Sequence, residues 1–587
     1  MRLKSSYILP AILFSAALLS QAQAQNAEPP LPPNYQTPVA AITTSAQGST
    51  YVPIDSWIYP ALDRLHALGY LDSAFLGIRP WTRLAIAHML QLSADRIDSD
   101  TNNDEAKDIY LAVLREVQPD IDNASDMTHP TAELDNVYEQ VRGISGLPLR
   151  DSFHLGQTIV NDYGRPYQSG FNNYTGFAAR AEAGRFSFYY RGEFQYAPSA
   201  AGYSPALTQY LSETLDLIPL ATNPHQATLP EGPIPTATNA RVLEATASFH
   251  LLGHEVSFGK SDHWMGPDRG ASMLWSNNAE NIYQFQIDRV EPLHIPLLSR
   301  VTGPFRYDFF VGSLKGHTYP NDPWVHIEKV QFKPTRNLEL GFDRMVIWGG
   351  KGHAPITLHS FLHSFFSFSN VPGDEKLGRR DPGARFATFD FNYRLPFLRH
   401  WVTLYTDGLV HDDQSPIDAP RRAAWHPGIY LAQFPYLHKL DLRVEGANTE
   451  PTSHYNPTPF DTPINHGTFL MWETIQKQGP TNQGFLVGDW VGREGKGGQA
   501  WLTYHLSPNE DIQFMYRNAK AAKVFFAGGS TQNDFQGEVR KRIGKNLEAR
   551  GWVQFERWKA PIYQPGPQND TTVAAQFTWY PPKRDRQ

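Results

Sequence analysis

Between Phe535 and Trp558 the side-chain character alternates with a period of two, and only a β-strand turns that period into two chemically distinct faces. Phe535, Gly537 and Val539 share one face, with Gln536, Glu538, Arg540 and Arg542 on the other. After Gly544-Lys545 the pattern resumes, with Leu547, Ala549, Gly551, Val553 and Phe555 set against Asn546, Glu548, Arg550, Gln554 and Glu556. Apolar faces backed by dense alternating charge, on long strands repeated down most of the chain, suit a barrel with an apolar exterior and a polar lumen. The alternation puts Val553 and Phe555 toward lipid and Glu548 and Arg550 toward the lumen.

The same reading gives twenty candidate strands, from Phe153–Val160 to Thr572–Tyr580. The number falls to eighteen if His466–Glu473 and Phe485–Trp490 form a hairpin inside one long loop. Short connections, such as Gly184 and Gly544–Asn546, alternate with long ones, such as Ala197–Ala240, Ser261–Glu280 and Gly349–Ala384. Tight turns on one rim and long loops on the other are the outer-membrane barrel pattern. Lumen-facing charges such as Arg191, Glu193, Asp288, Arg306, Asp343 and Asp390 are expected to pair across strands and stiffen the wall. The fold expected is a transmembrane antiparallel β-barrel occupying residues 150–580, preceded by a small helical domain.

Ahead of the barrel, residues 1–24 read as a secretory signal: Arg2 and Lys4, an apolar core, then Ala22-Gln23-Ala24. Residues 25–50 read as a flexible leader. Residues 51–145 read as a periplasmic helical domain, because Trp57, Ala61, Leu62, Leu65 and Leu68 recur at helical spacing before Gly69. Ala85–Leu92, Asp104–Val117 and Ala132–Val141 supply three more helices, and residues 581–587 form a tail. The chain contains no cysteine, so an N-terminal lipid anchor on that residue is excluded. A net charge of −7 gives no reason to expect a nucleic-acid partner.

For function, the loop Ser261–Glu280 stands out. A sugar-binding surface needs flat aromatic faces plus amides and charges for hydroxyls, and this loop offers Asp262, His263, Trp264, Asp268, Arg269, Trp275, Asn277 and Asn278. The loop reads equally well as a plug whose tryptophans fill the barrel. Lys351 and Arg493, in other loops, are candidate contacts to an acidic polymer. Leu358–Phe368 reads as a short helix, and its Phe361, Phe365, Phe366 and Phe368 are expected to pack inward and narrow the pore. His359 and His363 are four apart, a spacing that can bind zinc on a helix, and His353 is nearby, but no Glu stands beside His359 as a metalloprotease requires. No nucleophile elbow or phosphate loop is present. The expectation is therefore no catalytic residues, no metal and no cofactor.

Several short stretches, in this order, resemble the Wzi-type capsule assembly family of outer-membrane proteins. They are Gly259-Lys260-Ser261-Asp262-His263-Trp264-Met265-Gly266-Pro267, Ser276-Asn277-Asn278-Ala279, Val346-Ile347-Trp348-Gly349-Gly350, Tyr405-Thr406-Asp407-Gly408 with Asp412-Asp413, and Val487-Gly488-Asp489-Trp490-Val491-Gly492. The resemblance implies an eighteen-stranded barrel in the outer membrane. It also implies a non-catalytic surface lectin whose partners are surface polysaccharide and outer-membrane lipid. Asp55-Ser56-Trp57, Arg79-Pro80-Trp81-Thr82-Arg83 and Ala87-His88-Met89-Leu90 look like an S-layer homology module, which would add a cell-wall polymer. That module's usual acidic residue after Thr-Arg is replaced here by Leu84-Ala85. A channel for small solutes is the alternative function, and a glycan or lipid hydrolase ranks below it.

Overall fold

The computed structural model describes residues 47–100, 103–125, 130–368, 371–411, 423–450 and 468–582. The signal sequence, leader residues 25–46, Asp412-Asp413 and residues 583–587 of the tail lie outside the described residues.

Eighteen antiparallel strands form one closed sheet. They are β1 Thr131–Ser145, β2 Gly170–Ala183, β3 Phe186–Ala197, β4 Ala237–Leu251, β5 His254–Lys260, β6 Tyr283–Asp288, β7 Phe305–Ser313, β8 Trp324–Thr335 and β9 Leu338–Trp348. Then follow β10 Ala384–Arg394, β11 Val402–His411, β12 Ala424–Leu431, β13 Leu440–Asn448, β14 Gly495–Ser507, β15 Glu510–Ala521, β16 Ser530–Ile543, β17 Leu547–Lys559 and β18 Gln568–Trp579. Each strand pairs with the next, and β1 closes the barrel by pairing with β18 (Val137 opposite Trp579, Ser145 opposite Thr571). Closure leaves no sheet edge, as a strand-built membrane protein requires. Among the described residues no helix is long and apolar enough to cross a membrane.

Eighteen strands agree with the family expectation, but their identity differs from the sequence reading in three places. Ala132–Val141 is not a helix; it lies in β1, the first barrel strand. Its apolar positions fit both periods, and pairing on both sides with β18 and β2 decides for the strand. Phe153–Val160 is not a wall strand. It folds into the lumen, where only Arg150–Asp151 and Gly156–Gln157 pair. Phe485–Leu486 pairs with Thr481–Asn482 in a small hairpin inside a long loop, and Thr468–Met471 is a helical turn. The barrel thus begins at Thr131 rather than at residue 150, and the helical segment ends at Ser125 rather than at residue 145.

The hairpin β16–β17 behaves as its alternation predicts. Phe535, Val553 and Phe555 stand exposed on the outer wall, while Glu538 inside accepts hydrogen bonds from Arg550 at 2.6 and 2.9 Å. Gly184 (φ +58°) and Gly544 (φ +66°) take the left-handed backbone that the tight turns need. The outer wall elsewhere carries Phe171, Phe188, Phe258, Phe342, Phe514 and Phe577, as lipid contact demands.

The inner face is not uniformly polar. Along β8 the inward residues run Val325, Ile327, Lys329, Gln331, Lys333; along β9 they run Glu339, Gly341, Asp343, Met345, Ile347. Register sets Val325 against Ile347 and Lys329 against Asp343. The wall is therefore apolar inside near the long-loop rim and charged inside toward the short-turn rim.

Each half of the lumen has its own filling. In the short-turn half lie α1 Ile58–Ala67, α2 Arg83–Gln91, α3 Ala94–Ser99 and α4 Asp104–Ser125. They share a core that includes Leu62, Leu65, Leu68, Trp81, Leu90 and Val113. Leu68 caps α1 and Gly69 follows at φ +91°, as the spacing predicts. Charged wall residues grip this bundle: Arg394 donates to His66 O at 3.0 Å, Arg306 to Ile78 O at 3.0 Å and Arg180 to Asp120 at 2.7 Å. The end of the leader is held as well. Gln47, Ser49 and Thr50 are buried, and the Ser49 and Thr50 amides donate to Glu255 and Glu182 of the wall.

The long-loop half is filled by loops. Residues 147–168, 261–282 and 472–494 converge on the apolar stretch of the inner wall, where Phe153, Met265, Trp275, Val487 and Trp490 meet Phe310, Ile327, Met345 and Phe386.

The helix α5, Leu358–Phe365, overturns the expected inward packing. Phe361 and Phe365 contact Phe309, His326 and Trp348, which point outward from β7, β8 and β9. The helix therefore lies on the outside of the barrel, not in its mouth. Thr357 and Ser360 form a capping box at its start, and outward-facing Arg344 donates to the carbonyls of Phe365, Ser364 and Ser367 at its end. Its remaining apolar residues, Leu358 and Leu362, and Phe366 and Phe368 just beyond it, stay exposed.

Candidate functional site

The loop between β5 and β6 supplies eight of the ten sequence-derived site residues, and it runs through the centre of the barrel. Asp262 accepts hydrogen bonds from Ile54 N (3.0 Å), Tyr163 Oη (3.0 Å) and Asn281 Nδ2 (2.7 Å), joining the helical segment to the loop filling. The His263 ring stacks on Phe310 with centroids 3.9 Å apart, and Trp275 meets the same Phe310 edge-on. Trp264 donates its indole N–H to Asp268 O at 3.0 Å and pairs through its backbone with Arg79. Asn278 exchanges hydrogen bonds with Gln157 and donates to Leu486 O, while Asn277 O accepts from Tyr163 N. All of these, with Asp268, are buried. Arg269 is half-buried, its guanidinium 5.4 Å from the Trp501 ring.

Arg493 is buried too. It pairs with Asp216 at 2.6 Å and lies over Phe153 (4.3 Å) and Phe525 (4.9 Å). Asp216 is also 2.9 Å from His154 Nε2, and Asp151 lies 3.0 Å from His154 Nδ1. Burial opposes a charge on His154, but these two carboxylates overcome it and push the imidazole up to about 9. Burial alone would raise Asp216 as well, yet His154 and Arg493 hold it below the usual carboxylate range. This chain of charges ties three loops together under the mouth of the barrel.

Lys351 is different. Its side chain is 77% exposed, and Nζ lies 2.6 Å from Asp322. Lys315, half-exposed, reaches the same carboxylate at 3.3 Å. Next to them Tyr319 is partly exposed, with Lys477 Nζ 4.3 Å from its ring centroid. Three loops (314–323, 349–383 and 472–494) thus present lysines around a tyrosine on the long-loop face. Sequence reading found Lys351 but missed Lys315, Tyr319 and Lys477. The Lys315…Tyr319-Pro320 spacing was visible, but nothing in it brings Lys477 near.

A sequence profile described as capsule assembly protein Wzi matches residues 140–573. The chain belongs to that family. It is an outer-membrane β-barrel. A solved Escherichia coli structure, described as Wzi, an outer-membrane protein involved in group 1 capsule assembly and a carbohydrate-binding β-barrel, superposes with a TM-score of 0.63 at 16% identity. The match covers 90% of this chain and 99% of that one. An uncharacterised 55.8 kDa protein from the cps region of Klebsiella pneumoniae is 27% identical over 161 residues. That stretch is 27% of this chain and spans about a third, 31%, of the relative. Pseudomonas aeruginosa OprD reaches a TM-score of only 0.39 at 11% identity, over 76% of this chain and 94% of its own.

Proposed function

We propose that this Wzi-family barrel binds surface polysaccharide on its long-loop face and holds it at the cell surface, taking part in capsule assembly without catalysing a reaction. The observation that carries the reading is the doubly filled lumen. With helices in one half and a loop core in the other, wall charges such as Arg306 with Asp288, Lys329 with Asp343 and Arg517 with Asp534 pair internally, which leaves little free field for permeant ions. Function then falls to the outer face, where Lys315, Lys351, Lys477 and Tyr319 offer cations and an aromatic surface suited to an acidic glycan. Of the ten sequence-derived candidates, Lys351 is in this face, Arg269 is within reach of water, and the buried eight hold the scaffold on which the face is built.

Single contacts of this kind are weak, and a repeating polymer engaging several of them gains retention through multivalency. The aromatic outer wall suits contact with outer-membrane lipid. In the helical segment, Trp81 is buried, Arg79 pairs with Asp63 and Arg83 pairs with Asp120, which favours a filling role on the periplasmic side over capture of a cell-wall polymer. The test is a glycan array probed with folded protein, wild type against Tyr319→Ala/Lys351→Ala. Loss of binding to acidic polysaccharides in the variant is expected. Unchanged binding would move the site elsewhere, and large steady conductance of the wild type in planar bilayers would replace the binding role with a channel.

A further inference from the structure

Where the central loop meets the wall, three potential ligand groups converge: Asp268 of the loop, His426 of β12 and Glu445 of β13, with ligand atoms all within 4.8 Å of one another. All three side chains are buried, at 0%, 0% and 2% exposure. Both Asp268 carboxylate oxygens lack a hydrogen-bond partner among the described residues, although this is the interior of the protein. A buried carboxylate that no hydrogen-bond donor reaches is costly, so the arrangement is incomplete as it stands.

We propose that Asp268, His426 and Glu445 bind a divalent transition-metal ion, Zn²⁺ by ligand chemistry, which clamps the central loop to the barrel wall. Three further features suit an ion. First, His426 Nδ1 lies 2.5 Å from Asp489 Oδ2, the carboxylate–imidazole arrangement that orients metal-binding histidines through their second nitrogen. Second, the opposite nitrogen, Nε2, faces Glu445 Oε2 at 3.2 Å. That is close to the separation of about 3.4 Å set by two ligands sharing one tetrahedral ion at about 2.0–2.2 Å. Third, Glu445 is itself fixed by Arg269 N and Gly270 N, both at 2.8 Å, and by Tyr405 Oη at 2.6 Å. Asp268, held by no side-chain hydrogen bond, is free to turn onto the ion. Asp407 of β11, whose Oδ2 accepts from Met273 N of the same loop at 2.8 Å, keeps its Oδ1 unpartnered beside the loop.

One imidazole with two carboxylates is a donor set for Zn²⁺ or a similar ion rather than for Ca²⁺, which prefers oxygen throughout. The ion would join the loop 261–282 to β12 and β13 directly, and through Asp489 to the loop 472–494.

The test uses detergent-extracted, untagged full-length protein carrying His359→Ala and His363→Ala, which removes the histidine pair at zinc-binding spacing on α5. After EDTA treatment and reloading with Zn²⁺, bound metal is counted by mass spectrometry and thermal unfolding is followed. About one Zn²⁺ retained per chain, with a higher unfolding midpoint than the stripped protein, is expected. Asp268→Asn should lose that retention and, in EDTA, unfold at a higher temperature than its parent, because the unpaired carboxylate is gone. Absence of retained Zn²⁺ in the parent overturns the proposal without recourse to any variant. Equal retention in Asp268→Asn, or binding of Ca²⁺ in place of Zn²⁺, overturns it as well.

Discussion

The two fillings of the lumen solve one problem in opposite ways. The short-turn half is closed by α1–α4, a contiguous stretch whose apolar residues pack mainly on one another, with Tyr405, Tyr430 and Ala432 as the wall's share of the core. Its attachment is otherwise polar, through wall side chains such as Arg394, Arg306 and Arg180. The long-loop half has no such independent body. Phe153, Trp275 and Val487 come from three loops far apart in the chain, and they bury their surface against Phe310, Ile327 and Met345 of the wall itself. One filling is a small domain held by charges; the other exists only as part of the barrel.

That contrast can be broken most directly by cavity formation. Trp275→Ala should cost about 3–5 kcal/mol and should loosen the wall near the long-loop rim together with the loops. Leu65→Ala, a similar core loss in the helices, should loosen the helices alone. Hydrogen exchange on β8 and β9 distinguishes the two, and equal protection loss in both variants would erase the distinction. Next comes Arg493→Met, which leaves the Asp216 carboxylate with only His154 as a partner among the described residues and should cost about 3 kcal/mol. Protease cleavage in 205–220 should then appear while α1–α4 stay protected.

A pH series sharpens the comparison further. Because His154 is pushed up to about 9 in the folded chain from an ordinary value near 6.5, its contribution is complete below about pH 6.5 and is lost as pH rises through about 9. Loop protection should therefore fall between pH 6.5 and 9.5, and His154→Gln should flatten that fall. The smallest effect belongs to the surface. Lys351→Ala should change stability by less than about 1 kcal/mol, as exposed ion pairs do, while lowering retention of acidic polysaccharide in a pull-down assay.

Legibility in the sequence follows the same division. Wall strands such as β16 and β17 and the helix α1 are written in local periods, two and 3.6, because each places its apolar face by its own geometry. Hence the barrel, the side assignments of Val553 and Glu548, and the stop at Gly69 were all readable. Ala132–Val141 failed because a short apolar pattern fits either period, and only pairing with β18 and β2 chooses. Phe153–Val160 failed because alternation does not say whether a segment joins the wall or drops into the lumen. Helix α5 failed on direction: its Phe361 and Phe365 demanded cover, but the cover was Trp348 on the outer wall, a partner that strand register alone exposes.

The functional residues divide likewise. Composition marked Asp262, His263, Trp264, Asp268, Trp275, Asn277, Asn278 and Arg493 as chemically capable, and the sequence allowed either a binding loop or a plug. Which of these it was depended on whether the inner wall is apolar where the loop arrives, a property of Val325, Ile327, Met345, Ile347 and Phe386 taken together across three strands. The sequence by itself determined the strand period, the alternation of short and long connections and the family. Tertiary structure alone decided what stands inside the barrel, what stands outside, and that Lys315, Tyr319, Lys351 and Lys477 share one face, because those relations are set by closure of the sheet rather than by any neighbour along the chain.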